Sequence, residues 1–116
     1  MSPAERSPTL PLSPRVFHIL LALAEEARNG YQLGLKVEEA SEGAIRLSPG
    51  TLYENLHRLA EQGMIREVEN VPDDKSNGRG QRFYAITEPG LGVLKAEVAR
   101  LSADLALARS VPALGA

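Results

Sequence analysis

The sequence has no cysteine, no tryptophan and only two histidines. Without cysteine there is no disulfide framework and no thiolate metal site. The histidines, His18 and His57, have no fixed spacing to carboxylates, so we predict neither a metal site nor a cofactor. No serine–histidine motif of a hydrolase is present either, and we predict no catalytic residue and no enzyme activity.

Long apolar runs are also missing. The longest, ILLALA at residues 19–24, is too short to span a membrane and is typical of a buried helix. The N-terminus lacks the pattern of a secretory signal. With the absence of cysteine, these features predict a cytoplasmic protein. The 116 residues suffice for one domain, and the 43% of hydrophobic residues is typical of a globular chain.

The chain carries no large excess of charge of one sign. Its formal net charge of −2 argues against a protein that coats nucleic acid nonspecifically. The charges are nevertheless unevenly distributed. Residues 1–42 contain more acids than bases, residues 43–86 are balanced, and the segment 75–82 contains three basic residues and no acid. This local basic segment leaves specific DNA binding open.

Capping and turn residues divide the chain into short elements. Ser13, Asn29, Ser48 and Thr87 each have the position and chemistry of a helix N-cap. In chain order we predict a flexible arm over residues 1–12, helices over 14–27 and 30–40, a short strand over 45–47, a helix over 49–62, strands over 64–70 and 81–86 joined by a polar loop, and a helix over 88–109 before a frayed tail at 111–116.

This order predicts a mainly α-helical, α+β fold with a small β-hairpin. Three small helices followed by a two-stranded hairpin form a winged helix-turn-helix domain, which we assign to residues 13–86. The helix over residues 87–110 is an addition, and its apolar residues repeat with the spacing of a heptad seam. The residues of this seam are Leu91, Leu94, Val98, Leu101 and Leu105, with Lys95 and Glu97 at flanking positions.

The seam has two interpretations, because it could pack on its own domain or on a second subunit. Packing on its own domain explains Leu91 and Leu94 well but Leu101 and Leu105 poorly, since the small domain is already occupied by its own helices. We therefore expect a homodimer, to which Phe17 and Leu21 of the first helix also contribute.

The third helix has an apolar side, formed by Leu52, Leu56 and Leu59, and a polar side. A recognition helix presents such a polar side to the major groove of DNA. The alternative is a solvated face, on which Glu54 and Arg58 form an i,i+4 ion pair. The candidate DNA-binding residues of this helix and its cap are Ser48, Gly50, Thr51, Tyr53, Glu54, Asn55 and Arg58.

Two further segments have residues suited to DNA phosphates. Asn29 and Tyr31 open the second helix, whose exposed amides suit an anion, although plain capping explains Asn29 equally well. Lys75, Arg79 and Arg82 of the hairpin suit phosphate contacts, which add salt dependence rather than sequence preference. The alternative for these three is an ordinary basic hairpin tip.

Three segments of the sequence resemble the PadR family of bacterial transcriptional regulators. They are NGYQL at residues 29–33, LSPGTLYENLHRLAEQGMI at residues 47–65 and GRGQRFYAITEPGLGVL at residues 78–94. The resemblance implies a dimeric repressor that binds double-stranded DNA with its third helix in the major groove. It also implies that the hairpin touches the DNA backbone or minor groove, that the last helix dimerises, and that small aromatic or hydrophobic effectors are common.

Two departures from the family pattern concern Glu54 and tryptophan. The family commonly has proline directly after the tyrosine of the middle segment, where this chain has Glu54. The chain also lacks the tryptophans between which some small members hold flat drugs. A two-fold dimer implies a pseudo-palindromic operator and an association with the bacterial nucleoid. The alternative function is a winged-helix module that binds proteins and not DNA.

Overall fold

Four α-helices and three short β-strands make up the part of the chain that the computed structural model describes, residues 9–69 and 82–115. The strands form one antiparallel sheet in the order β1-β3-β2. This architecture confirms the predicted fold class. The elements are α1 (Pro14–Glu25), β1 (Arg28–Asn29), α2 (Gly30–Ala40), α3 (Pro49–Glu61), β2 (Ile65–Val68), β3 (Phe83–Ile86), α4 (Glu88–Arg109) and a 3₁₀ turn (Pro112–Leu114).

Side-chain caps begin all four helices at the predicted residues. The hydroxyls of Ser13, Ser48 and Thr87 each accept a hydrogen bond from an amide three residues on, at 3.2, 3.2 and 3.1 Å. Asn29 and Gln32 form a reciprocal capping box at the start of α2. These bonds satisfy amides that the helices themselves leave without partners.

The third strand of the sheet is β1, and not the predicted strand at residues 45–47. Arg28 and Asn29 pair with Tyr84 and Phe83 of β3. At the predicted place no strand forms, because the Ile45 amide donates to the hydroxyl of Ser41 at 2.9 Å. The pairing of β1 also explains why α1 ends at Glu25 instead of Ala27, since the backbone is already extended at Glu26.

The hairpin strands are shorter than predicted. β2 and β3 pair from Ile65 opposite Ile86 to Val68 opposite Phe83. We define the wing as β2, β3 and the segment that joins them. Of that segment, residues 70–81 lie outside the described residues, and so do the predicted phosphate contacts Lys75 and Arg79.

The core lies where the helices meet the sheet. Ile19 and Leu20 of α1, Leu33 of α2 and Leu56 of α3 are at most 1% exposed. Leu52 and Leu59 are also buried, so the whole predicted apolar side of α3 faces inward. Burial of this side points the opposite side of α3 away from the domain.

Two residues near α4 differ from the sequence prediction. Glu97, expected at a flanking position of the seam, is only 2% exposed. Its Oε2 accepts a hydrogen bond from the backbone amide of Leu12 at 3.1 Å, and its carboxylate pairs with Arg100. Leu12, predicted as part of the flexible arm, is buried in the core. A long-range contact therefore ties the residue before the α1 cap to α4.

Candidate nucleic-acid interface

The outward side of α3 is polar and accessible. Glu54, His57 and Arg58 are exposed, and Tyr53 on the flank is 51% exposed. The three leucines of the opposite side are buried, so this orientation follows from the apolar periodicity of the helix. The structure thus brings Glu54 and Arg58 to one accessible surface, as a recognition helix requires, and places Tyr53 on the flank next to α2.

The start of α3 leaves room for close approach by a ligand. A Cβ atom built on Gly50 would meet nothing within 4 Å, so the fold of this chain does not require glycine there. Thr51 is half-buried, and its Oγ1 accepts a hydrogen bond from the hydroxyl of Ser48 at 3.1 Å. Ser48 also caps the helix, so its hydroxyl and that of Thr51 both order the first turn.

The ion pair between Glu54 and Arg58, which belonged to the alternative of a solvated face, does not form. Among the described residues the i,i+4 ion pair on this side joins His57 Nε2 and Glu61 Oε2 at 3.4 Å, and it is charged only when His57 is protonated. Arg58 is exposed and has no acidic partner within 4.0 Å in the described part of the chain. Its guanidinium, with donors suited to phosphate or guanine, is therefore unpaired.

Asn55 faces a different neighbour from Arg58. It is half-buried, and its Nδ2 donates to the backbone oxygen of Thr51 at 2.8 Å. Asn55 and Arg58 line a cleft of about 280 Å³, whose other wall includes Thr9 and Pro11. The described end of the N-terminal arm therefore runs beside the C-terminal half of α3.

At the start of α2, the two candidate residues, Asn29 and Tyr31, differ in their exposure to solvent. Asn29 is 4% exposed, and its side chain accepts from the Gln32 amide at 2.8 Å, as the capping interpretation predicts. Tyr31 is 73% exposed. Tyr31 and Tyr53 line a cleft of about 350 Å³ between α2 and α3.

Sequence reasoning missed Gly30 in this cleft. A Cβ atom on Gly30 would overlap the hydroxyl of Tyr53 and lie 2.8 Å from its Cζ. The motif NGYQL contains this glycine, but nothing in the local sequence indicates that a side chain 23 positions later occupies its space.

In the wing, Arg82 is exposed and pairs with Glu67 of the adjacent strand at 3.3 Å. Arg66 on β2 is also exposed and was not predicted as a candidate. Burial raises the pKa of Tyr84, and the nearby carboxylate of Glu67 raises it further. The Arg82–Glu67 pair leaves less net positive charge at this end of the wing than the sequence alone indicated.

The predicted dimerisation residues divide into buried and exposed sets. Leu94 is 4% exposed and packs in the core of its own chain, while Phe17 and Leu91 are half-buried. Leu94 is therefore not available to a partner. The exposed set, which we call the apolar surface, consists of Leu21, Val98, Leu101 and Leu105, each between 38% and 50% exposed.

The described residues contain no group of three or more His, Cys, Asp or Glu side chains able to hold a metal ion. His18 is half-buried and stands edge-on to Phe17, with ring centroids 5.6 Å apart. None of the helices in the described ranges is long and apolar enough to cross a membrane.

Comparison with known proteins matches residues 19–96 to the PadR-like family of transcriptional regulators. The transcriptional regulator Rv3488 of Mycobacterium tuberculosis is 38% identical over 77 residues, which are 66% of this chain and 65% of that protein. An uncharacterized 37.1 kDa protein in transposon Tn4556 of Streptomyces fradiae is 36% identical over 87 residues, or 72% of this chain and 23% of that one. The chain thus spans less than two thirds of the length of either relative.

Solved structures share the fold. A PadR family transcription regulator from Clostridium difficile R20291 superposes with a TM-score of 0.71 at 20% identity, covering 84% of this chain and 97% of that one. A PadR-like regulator from Bacillus cereus gives 0.68 at 22% identity, with coverages of 82% and 87%. The family match spans well over half of the sequence. The chain therefore belongs to the PadR-like family of transcriptional regulators, which generally bind DNA and are generally not enzymes.

Proposed function

We propose that this protein is a sequence-specific DNA-binding repressor that acts as a homodimer. The observation that carries the proposal is the exposed guanidinium of Arg58 on the outward side of α3, which has no acidic partner within 4.0 Å among residues 9–69 and 82–115. Glu54 lies one turn before it on the same side of the helix, Tyr53 is exposed on the flank next to α2, and Gly50 leaves the first turn open. A helix oriented in this way reads base edges from its N-terminal part.

Within this proposal the residues have different tasks. Arg58 contacts a guanine edge or a phosphate, and Glu54 accepts from a cytosine amino group. Tyr31 and Tyr53 contact the DNA backbone, and Ser48, Thr51 and Asn55 order the helix that presents these groups. Arg82 of the wing, with Lys75 and Arg79, adds phosphate contacts.

The dimer part of the proposal is supported by the apolar surface. Scattered exposed leucines are ordinary, but Val98, Leu101 and Leu105 lie at heptad spacing on one helix, and Leu21 of α1 is exposed as well. A two-fold dimer would bind a pseudo-palindromic operator whose half-sites are separated by about 34–36 Å or a multiple. Release by a small aromatic or hydrophobic effector completes the proposal, and because the chain has no tryptophan, such an effector would bind without stacking on one.

The test begins with a selection of genomic fragments by the purified protein, followed by affinity measurements on the selected site. We expect Arg58→Ala to weaken binding by about tenfold or more, since a charged hydrogen bond contributes about 1.5–3 kcal/mol. Arg109→Ala is the matched control, because it removes the same charge from the exposed end of α4. Folded wild-type protein that selects no DNA would instead support a protein-binding module.

A further inference from the structure

Gly30 is the first residue of α2, and its backbone does not need glycine. Its φ lies outside the left-handed region, and it occupies a regular helical position. Alanine is a better helix former than glycine, so the local sequence would favour a side chain here. The reason for glycine at this position must therefore come from a neighbour.

The neighbour is Tyr53 of α3. A Cβ atom on Gly30 would overlap the Tyr53 hydroxyl and lie 2.8 Å from Cζ and 3.3 Å from Cε1. The outer edge of the Tyr53 ring thus lies directly over the Cα of Gly30, although half of the side chain remains exposed. Within residues 9–69 and 82–115 the hydroxyl has no hydrogen-bond partner.

We propose that Gly30 is a positioning residue for DNA recognition, which acts by holding the Tyr53 ring against the first turn of α2. In this position the Tyr53 hydroxyl stands where α2 and α3 meet, beside the cleft that Tyr53 and Tyr31 line. The inference rests on the proposed function and adds to it a residue that touches no DNA. Gly30 acts entirely through the orientation of Tyr53.

The first experiment substitutes Gly30→Ala, with Gly34→Ala as the matched control on the same helix. A Cβ atom on Gly34 would touch only Leu52 Cδ2, at an ordinary 4.0 Å. Both variants should fold with thermal midpoints at or above that of the wild type, because alanine favours the helix and an exposed ring can swing aside. We expect Gly30→Ala to lose about tenfold in affinity for the selected DNA site, and Gly34→Ala to keep wild-type affinity.

The second experiment separates positioning from a general effect on structure. In the wild type, NMR should show a cross-relaxation signal between the Gly30 α-protons and the Tyr53 ring, and Gly30→Ala should shift the Tyr53 ring signals. Tyr53→Ala should weaken DNA binding as much as Gly30→Ala does. The double variant should bind no more weakly than Tyr53→Ala alone, because no ring is left to displace.

The outcomes distinguish the inference from the proposed function. If the wild type binds DNA and Gly30→Ala binds equally well, or if the two losses simply add, the positioning role is wrong while the proposed function stands. Absence of the signal between Gly30 and Tyr53 also overturns the role. If the wild type binds no DNA, the proposed function and the role fall together, and the NMR signal then reports a packing contact alone.

Discussion

Glu97 is a buried charge in a chain with a small core. A carboxylate taken out of water is costly unless it is paired and hydrogen-bonded. Here Arg100 donates from Nε to Oε1 at 2.7 Å and from Nη2 to Oε2 at 3.0 Å, while the Leu12 amide donates to Oε2. In the described part of the chain the hydrogen-bond partners of the carboxylate are thus all donors, which favours its ionised form in the fold.

The first residue-scale prediction concerns this carboxylate. The hydrogen bonds from Arg100 lower the pKa of Glu97, and the Leu12 amide lowers it further, against the opposing effect of burial. A folded-state pKa below the unfolded value contributes stability that is present above the ordinary glutamate pKa and is lost as the pH falls through the folded value. We expect Glu97→Gln to lower the urea midpoint at neutral pH, by an amount that shrinks as the pH falls below about 4.3.

Asp104→Asn is the control for this prediction. Asp104 pairs with the same Arg100 at 2.8 Å but is well exposed, so its loss should change the midpoint little. If Glu97→Gln lowered the urea midpoint by the same amount at neutral and acidic pH, the stabilisation would not come from an ionised carboxylate. If both variants lowered the urea midpoint equally, the loss would come from Arg100, which both carboxylates contact, and not from the burial of Glu97.

Residues with local partners were predictable, and those with distant partners were not. The four caps bind amides three residues away, so the sequence predicted each of them correctly. Glu97 binds the Leu12 amide 85 positions earlier, and heptad spacing alone assigned it to a flank. Asn29 was ambiguous because capping and phosphate contact favour the same residue, and the structure shows its cap and its burial.

At the scale of elements, α4 starts in close contact with the hairpin. A Cβ atom on Gly90 would overlap the backbone oxygen of Met64 and lie 2.9 Å from Ile86 Cγ1. The Thr87 hydroxyl also donates to the Gly63 oxygen at 2.6 Å. These contacts fix the first turn of α4 on the ends of β2 and β3, from which the helix extends.

The prediction for this element compares Gly90→Ala with Gly92→Ala. The first should destabilise the fold by about 1–3 kcal/mol, because backbone atoms cannot move aside for the added methyl group. The second should stabilise it by about 0.4–1 kcal/mol, because its Cβ meets nothing within 4 Å and alanine favours the helix. Chemical denaturation of both variants measures the difference, and effects of the same sign would contradict the close packing at Gly90.

Helices and strands, like single residues, were predicted correctly where the sequence signals lie within the element and missed where they depend on a distant partner. Helix α3 was predicted at nearly its true length, since its cap, proline and apolar spacing all lie within it. Strand β1 was missed because two residues carry no period, and its existence depends on pairing with β3 more than 50 positions later. The pairing also shortened α1 by two residues, which no signal inside that helix indicated.

At the scale of the whole molecule, the fold is elongated, with principal extents of 55, 37 and 24 Å. Helix α4 has 22 residues and is therefore about 33 Å long, while its buried leucine, Leu94, lies in its first third. Side chains from Leu101 to Leu107 are exposed. The C-terminal half of α4 thus extends beyond the core of its own domain, and the resemblance to the family predicts a second copy there.

The prediction at this scale replaces one residue of the apolar surface. Leu101→Lys places a charge at the centre of the seam, where burial against a partner would require its desolvation. We expect the variant to sediment as a monomer at concentrations where the wild type is a dimer. Affinity for a two-half-site operator should fall by about a hundredfold or more, because the link between two recognition helices is lost, while a single half-site is bound as before.

Leu107→Lys is the matched control, because Leu107 is on the same helix, is more exposed at 68% and lies off the seam. It should leave both the dimer and operator binding unchanged, since a lysine there stays in water. If both variants remain dimeric, the dimer does not use the apolar surface of α4. If Leu101→Lys is monomeric yet binds the full operator as tightly as the wild type, two-fold recognition is wrong and each chain reads DNA alone.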